Sequence, residues 1–193
     1  MTSATEPTTR TWNGLTIPAA GTYEMDANHK RVGFIARHMM VSKVRGEFAQ
    51  ATATIVVAED PLQTTVTAVL QAESISTGAA DRDAHLRSGD FLEVEKFPTL
   101  TFRSTGVSDV NGNEFTLTGD LTVKDVTKPV QLKVEFEGVE KNPWGQELIG
   151  FSASTEIDRE EFGLTWNVAL ETGGVLVGKK IKIEIEAEAI RQA

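Results

Sequence analysis

Two stretches of this chain alternate apolar and polar side chains with a strict period of two. They are VQLKVEFEG (130–138) and KIKIEIEAEA (180–189). Their apolar positions are Val130, Leu132, Val134, Phe136, Ile181, Ile183, Ile185 and Ala187. Because successive side chains of a strand point to opposite faces, each stretch is predicted to be a strand with one buried and one solvated face. This pattern is typical of an antiparallel sheet.

Less regular alternation continues through most of the chain. It occurs in VGFIARH (32–38), VRGEFAQATATIVV (44–57), TVTAVLQAESI (65–75), TLTFRST (99–105), EFTLTGDLTV (114–123) and ELIGFSASTEID (147–158). Short turn signals separate these stretches, at 59–61, 110–113, 125–129, 142–145 and 171–174. About eight strands with short connections predict an all-β sandwich or closed barrel, and short hairpins favour an up-and-down order.

Two segments interrupt the alternation, GAADRDAHLRSGDFLEVEKFP (78–98) and IDREEFGLTWNVALETGG (157–174). The first has helical spacing around Ala80, Ala84 and Leu86 and stops at Ser88-Gly89, which predicts one short helix. At the N-terminus, residues 1–20 are expected to be a flexible extension, in which Asn13-Gly14 could turn a small hairpin. Residues 21–193 are expected to form the barrel domain.

Composition excludes several classes of function. A net charge of −9 and a pI of about 4.9 disfavour nucleic-acid binding and attachment to an anionic membrane by charge alone. The chain has no cysteine, so thiol catalysis, zinc–thiolate sites and disulfides are excluded. No signal peptide or membrane-spanning segment is predicted, and a cytoplasmic location is the expectation. A surface patch could still make the protein a homodimer.

Few residues suggest catalysis. The only histidines are His29, His38 and His85, and none has a second ligand at metal-binding spacing. A mononuclear metal site would require the fold to gather His38, Asp83 and His85; otherwise each histidine makes an ordinary hydrogen bond at a barrel rim. No GxSxG motif is present, and DREE (158–161) is interpreted as a solvated turn. We therefore predict no enzyme, metal or cofactor. An enzyme or a small amphipathic-molecule binder that uses these three residues at the barrel mouth is the alternative.

Arg82 and Asp83 are adjacent, so they cannot pair by helical spacing, and each is expected to reach a different neighbour. One interpretation is a helix cap or loop clamp. The other is a polar gate over a cavity, with His85 facing the same opening. The sequence leaves both open.

Many large apolar residues fall on the buried faces of the predicted strands. They are Phe34, Phe48, Leu70, Phe102, Phe115, Leu117, Leu121, Val123, Leu132, Phe136 and Ile183. A barrel of about eight strands can be filled by such side chains or can hold one ligand. Composition does not decide between these two outcomes.

Four stretches together resemble the YceI-like family. They are DANHKRVGFIARHMMVSKVRGEF (26–48), SISTGAADRDAHLRSGDFLEVEKFPTLTFRST (74–105), GDLTVKDVTKPVQL (119–132) and GFSASTEIDREEFGLTW (150–166). The second is the most specific, through Arg82-Asp83, His85-Leu86, Asp90-Phe91, Lys96-Phe97-Pro98 and Phe102 with Ser104-Thr105. The resemblance runs from about Gly21 to the C-terminus. It implies an extended, eight-stranded antiparallel lipocalin-like barrel with a short helical insertion.

The resemblance also implies a function. A polyisoprenoid lipid, such as a quinone or prenyl phosphate, would lie in a long apolar tunnel without undergoing reaction. The implied ligand-binding residues are Phe34, His38, Phe48, Leu70, Arg82, His85, Phe91, Phe97, Phe102, Leu121, Leu132, Phe136, Phe151 and Trp166. Among them, His38, Arg82 and His85 are candidates for the polar head of the ligand. Lys30 and Lys124-Asp125 depart from the family pattern, where Ser and His-Gly are usual, and are expected to alter the head-group contacts.

Overall fold

The N-terminal part of the chain is a hairpin. The structure, a computed structural model, describes residues 8–193, so residues 1–7 of the expected extension lie outside the described residues. Strand β1 (Thr9–Trp12) pairs with β2 (Leu15–Pro18). Both turn residues, Asn13 and Gly14, have positive φ (49° and 80°), as a two-residue type I′ turn requires. Part of the expected extension is therefore regular structure.

Ten strands and one α-helix follow this hairpin. The strands are β3 (Gly21–His38), β4 (Ser42–Phe48), β5 (Ala51–Val57), β6 (Thr65–Gln71), β7 (Ile75–Ser76), β8 (Thr99–Asn111), β9 (Glu114–Val123), β10 (Val126–Lys141), β11 (Glu147–Asp158) and β12 (Val177–Arg191). The helix is α1 (Ala80–Arg87), and short 3-10 turns occupy Pro61–Gln63, Ala72–Ser74 and Arg159–Phe162. No helix among residues 8–193 has the length and apolar character needed to cross a bilayer.

The strands close into a barrel of antiparallel pairs. Strand β12 pairs with β11 on one side and with β3 on the other, and Ile183 lies opposite Phe34 across that closing pair. Strands β4 and β5 follow the same edge of β3, so together they act as one barrel strand. Strand β6 pairs with β5 and strand β7 pairs with β4, so β6 and β7 together also act as one barrel strand. The predicted eight-stranded antiparallel barrel with one short helix is thus confirmed.

Helix α1 and the loop after it cover the wall where β7 ends after two residues. Arg87 anchors the helix, because its Nε and Nη2 donate to the carbonyls of Glu73 (2.8 Å) and Ile75 (2.9 Å). Beyond the helix, Phe91 and Leu92 are buried. The insertion is therefore part of the barrel wall at this end.

Two inward-facing glycines make room for phenylalanine rings. A Cβ atom on Gly46 would lie 2.3 Å from Cζ of Phe34. A Cβ atom on Gly119 would lie 2.3 Å from Cζ of Phe102 and 2.7 Å from the carbonyl oxygen of Arg103. At Gly46 only the ring would have to move, whereas at Gly119 the backbone would have to move as well.

We therefore expect Gly119→Ala to lower the free energy of unfolding by about 2 kcal/mol, because the added methyl group overpacks a tight contact. Gly150→Ala is the matched control, since its Cβ would meet Glu137 Cβ at an ordinary 3.5 Å. Alanine is favoured over glycine in a strand interior, so the control should match or exceed the wild type. Urea denaturation of the two variants measures the difference, and equal stability would contradict this role for Gly119.

Candidate ligand-binding cavity

The barrel encloses a cavity of about 590 Å³. Thirteen of the fourteen predicted ligand-binding residues line it. They are Phe34, His38, Phe48, Leu70, Arg82, His85, Phe91, Phe102, Leu121, Leu132, Phe136, Phe151 and Trp166. Because this cavity remains, the phenylalanines do not fill the barrel. Phe34 and Phe48 contact each other, with ring centroids 6.0 Å apart. In residues 8–193, neither Phe102 nor Phe136 forms an aromatic pair.

Phe97 is the exception and does not line the cavity. Its amide donates to the carbonyl of Glu93 in a helical turn, and this turn places the ring against two lysines. The Nζ atoms of Lys96 and Lys124 lie 5.2 and 5.9 Å from the ring centroid. Of the two phenylalanines in this loop that were predicted to bind the ligand, only Phe91 lines the cavity.

The residues that depart from the family pattern also lie away from the cavity. Lys30 donates from Nζ to the carbonyl of Ala49 (2.7 Å), and Lys124 pairs with Glu93 (3.5 Å). Neither residue is part of the lining. These two substitutions therefore do not act on a ligand by direct contact with the cavity.

The ionisable part of the lining is entirely basic. Its ionisable side chains, within the described chain, are Arg37, His38, Arg82, His85 and Arg159. No aspartate or glutamate of residues 8–193 is part of the lining. In a protein of net charge −9, this is a local reversal of charge, and it favours a ligand with an apolar body and an anionic or hydrogen-bond-accepting head.

Three rings lie together at one end of the cavity. The His85 ring lies edge-on to Trp166 and Phe91, with centroid distances of 4.5 and 5.1 Å, and Nε2 of His85 pairs with Asp90 (2.8 Å). His85, Phe91 and Asp90 come from the first non-alternating segment, and Trp166 comes from the second. The two segments that interrupt the strand pattern therefore meet at the cavity mouth.

Arg82 and Asp83 reach the same neighbour, Thr77, and the expectation of two different neighbours was wrong. Asp83 is buried and accepts from the backbone N–H (2.8 Å) and the hydroxyl (2.5 Å) of Thr77. Arg82 donates from Nε to Oγ1 of Thr77 (2.7 Å) and from Nη2 to its carbonyl (3.0 Å). Because both side chains hold the residue at the end of β7, the pair forms the loop clamp that was one of the two interpretations.

Arg159 was not among the residues predicted from the sequence to form the site. It is 3% exposed, so the interpretation of DREE as a solvated turn is wrong for this residue. Its Nε donates to Gly178 O (2.9 Å) and its Nη2 to Val177 O (3.3 Å). Its Nη1 donates to the carbonyls of Leu164 (2.6 Å) and Trp166 (3.0 Å). The arginine thus holds the second non-alternating segment against the start of β12.

Burial lowers the pKa of Arg159, and the nearby carboxylates of Glu160 and Asp158 offset part of that shift. All of its hydrogen-bond acceptors are backbone carbonyls. Three neighbouring acids had suggested a solvated position, and no local pattern distinguished the buried arginine from them.

The three residues considered for a metal site are not brought together. Among residues 8–193, the one group of three with ligand atoms close together is Asp26, His29 and Glu188. In that group, Nδ1 of His29 lies 2.7 Å from Asp26 and 3.7 Å from Glu188. The hydrogen bond to Asp26 and the charge of Glu188 raise the pKa of His29, and the same bond lowers the pKa of Asp26. Because the His29 side chain is 62% exposed, this cluster is a surface ion pair.

The family model for the YceI-like domain matches residues 23–189. The chain belongs to the YceI-like family. A UPF0312 protein of Staphylococcus aureus (strain USA300) is 39% identical to this YceI-like protein over 168 residues, which is 86% of this chain and 95% of the relative. The predicted family assignment is confirmed.

Solved structures agree with the barrel of this YceI-like protein. A YceI protein of Campylobacter jejuni is 28% identical, with a TM-score of 0.70 over 81% of this chain and 90% of that one. A polyisoprenoid-binding domain from Saccharophagus degradans has a TM-score of 0.66 at 10% identity. It covers 90% of this chain and 100% of the domain. At that identity the similarity supports the fold alone.

Proposed function

We propose that the protein binds a long isoprenoid lipid in its barrel and stores or transports it without reaction. The observation that carries this proposal is the cavity of about 590 Å³, which lies within the range of small-molecule sites. Its walls are mainly aliphatic and aromatic, and besides the basic side chains described above they contain the polar residues Thr52, Thr64, Asn113 and Thr155. Water makes few hydrogen bonds with such walls, so an apolar occupant is favoured.

The free energy of transfer is sufficient for such binding. Removing a prenyl chain from water contributes about 0.8 kcal/mol per buried CH₂ group. A few buried isoprene units therefore outweigh the cost of ordering the ligand. The Saccharophagus degradans domain, which has the same fold, is a polyisoprenoid-binding domain, and we propose the same ligand class for this barrel.

The polar head is proposed to lie at the mouth, near His38, Arg82 and His85. Arg82 and Arg159 supply positive charge, the rings of His38 and His85 supply nitrogen atoms that can form hydrogen bonds, and no carboxylate of residues 8–193 is part of the lining. Such groups suit a prenyl phosphate, whose oxygens accept charge-assisted hydrogen bonds. They also suit a quinone, whose carbonyl oxygens accept hydrogen bonds from the same donors.

The enzyme alternative has less structural support. Asp83 holds Thr77, and His85 pairs with Asp90 instead of with Asp83.

The expected cytoplasmic location stays a prediction.

Extraction of the purified protein into organic solvent, followed by mass spectrometry, tests the proposal. We expect a long apolar molecule near one equivalent per chain. After delipidation, a prenyl lipid added at about 100 times its Kd should stabilise the protein by about 2.7 kcal/mol. Recovery of no apolar molecule, together with no thermal stabilisation by a prenyl phosphate or a quinone, would reject an isoprenoid-binding function.

A further inference from the structure

The turn between β3 and β4 exposes three consecutive apolar side chains. Met39, Met40 and Val41 are 42%, 62% and 81% exposed. Both methionines have positive φ (50° and 61°), in a three-residue loop whose first turn is closed by the Val41 N–H and the His38 carbonyl (3.1 Å). Such turns usually contain Asn-Gly, and large side chains are disfavoured in this left-handed region. Neither burial nor turn preference explains these three residues, which form the MMV tip (39–41).

The strands below the tip carry a local positive charge. Between residues 27 and 46 the chain has no aspartate or glutamate, although its net charge is −9. Arg37, Lys43 and Arg45 are exposed there. Within the described chain, none of the three forms an ion pair within 4.0 Å. The acidic Asp81 and Asp90 lie on α1 and in the loop after it, and Asp90 is paired with His85.

The tip lies next to the cavity mouth. His38, which precedes it, lines the cavity, and the Met39 N–H donates to the carbonyl of Leu176 (2.8 Å). Leu176 in turn donates from its N–H to the carbonyl of Val168 (2.9 Å), whose side chain is 45% exposed. The apolar surface therefore extends from the hairpin onto the loop that carries Trp166.

We propose that the β3–β4 hairpin docks the cavity mouth onto an anionic lipid bilayer. In this arrangement the MMV tip enters the boundary between head groups and acyl chains, and Arg37, Lys43 and Arg45 contact lipid phosphates. The proposed function supplies the reason for docking at the mouth, since a long apolar lipid enters and leaves through a membrane. Repulsion from acidic groups elsewhere is screened beyond about 8 Å at physiological ionic strength, so the local charge governs contact.

Exposed apolar residues at the opposite end of the barrel have a different electrostatic setting. Leu62 and Val110 are exposed there and also line the cavity, but Leu62 follows Glu59 and Asp60, and Val110 follows Asp109. An anionic bilayer would repel these neighbours. Charge complementarity therefore selects the β3–β4 end.

Flotation with phospholipid vesicles tests this docking. We expect the wild-type protein to float with vesicles of phosphatidylcholine and phosphatidylglycerol in equal parts, and to float weakly with phosphatidylcholine alone. Val41→Asp should lower the partition coefficient at least about tenfold, because it removes the most exposed apolar side chain of the tip. Replacing Arg37, Lys43 and Arg45 together with glutamine should lower it on the order of 100-fold on anionic vesicles, and should remove most of the dependence on salt.

Trp144→Asp is the matched control, because Trp144 is 83% exposed on the turn between β10 and β11. It should leave vesicle binding unchanged. Lipid extraction of each variant separates the two proposals: Val41→Asp protein that retains bound isoprenoid but fails to float supports docking independently of cargo. Docking is overturned if the wild type does not float with anionic vesicles, or if Trp144→Asp and Val41→Asp have equal effects. It is also overturned if Val41→Asp changes the oligomeric state while vesicle binding is unchanged, since the tip would then bind a second copy.

Discussion

Arg159→Met is expected to lower the free energy of unfolding by about 3–5 kcal/mol. The substitution keeps much of the apolar side-chain volume but removes the donors that serve the carbonyls of Leu164, Trp166 and Gly178. A buried polar group left without a partner costs about 1–3 kcal/mol, and at least two of these carbonyls would be in that position. Urea denaturation followed by circular dichroism measures the loss.

Arg103→Met is the control for this prediction, because Arg103 is exposed on β8. Its stability should stay within about 0.5 kcal/mol of the wild type. Arg159→Lys should recover only part of the loss, since one ammonium group cannot span four carbonyls as the guanidinium does. Hydrogen exchange should show faster exchange at residues 163–177 in Arg159→Met. A stability equal to that of Arg103→Met would show that the buried hydrogen bonds contribute little.

Ala68→Phe is expected to reduce the bound isoprenoid at least about tenfold. Ala68 lies on β6 between Val66 and Leu70, and all three line the cavity. A phenyl ring at this position would occupy part of the space that the lipid chain needs. Loss of two buried CH₂ groups of the ligand already corresponds to about 1.6 kcal/mol, or more than a factor of ten in affinity. Extraction and mass spectrometry give the lipid per mole of protein.

Thr67→Phe is the matched control, because the neighbouring side chain on the same strand is exposed. It adds the same ring to the outer face and should leave the lipid content unchanged. The thermal midpoint of delipidated Ala68→Phe shows whether the ring is accommodated. If the Ala68→Phe variant remains folded and carries as much lipid as the wild type, the ligand does not bind beside Ala68.

The strand pattern could be predicted from the sequence because its cause is local. Alternation in 130–138 and 180–189 reports which face of each strand is buried, and the same periodicity placed Phe34, Phe102 and Leu132 on the inner wall. Phe97 was predicted wrongly, because it lies in a loop where no period relates sequence position to direction. The structure places it beside Lys96 and Lys124.

Contacts between distant segments could not be predicted in this way. The meeting of His85 with Trp166 joins residues 81 positions apart, and each segment alone only showed that the alternation stops. Arg159 is the clearest case: its partners at Gly178 and Val177 lie across a loop, and its acidic neighbours indicated exposure. Thr77 became the common partner of Arg82 and Asp83 because β7 ends directly beside α1.

The sequence by itself determined the all-β architecture, the number of barrel strands, the helical insertion and the family, because each follows from local periodicity or from motifs contiguous in the chain. Only the tertiary structure decided that the barrel contains a cavity and that the ionisable residues lining it are basic. Whether inward side chains meet across a barrel depends on its diameter and on the angle at which its strands close. Those are properties of the assembled sheet, and no single strand encodes them.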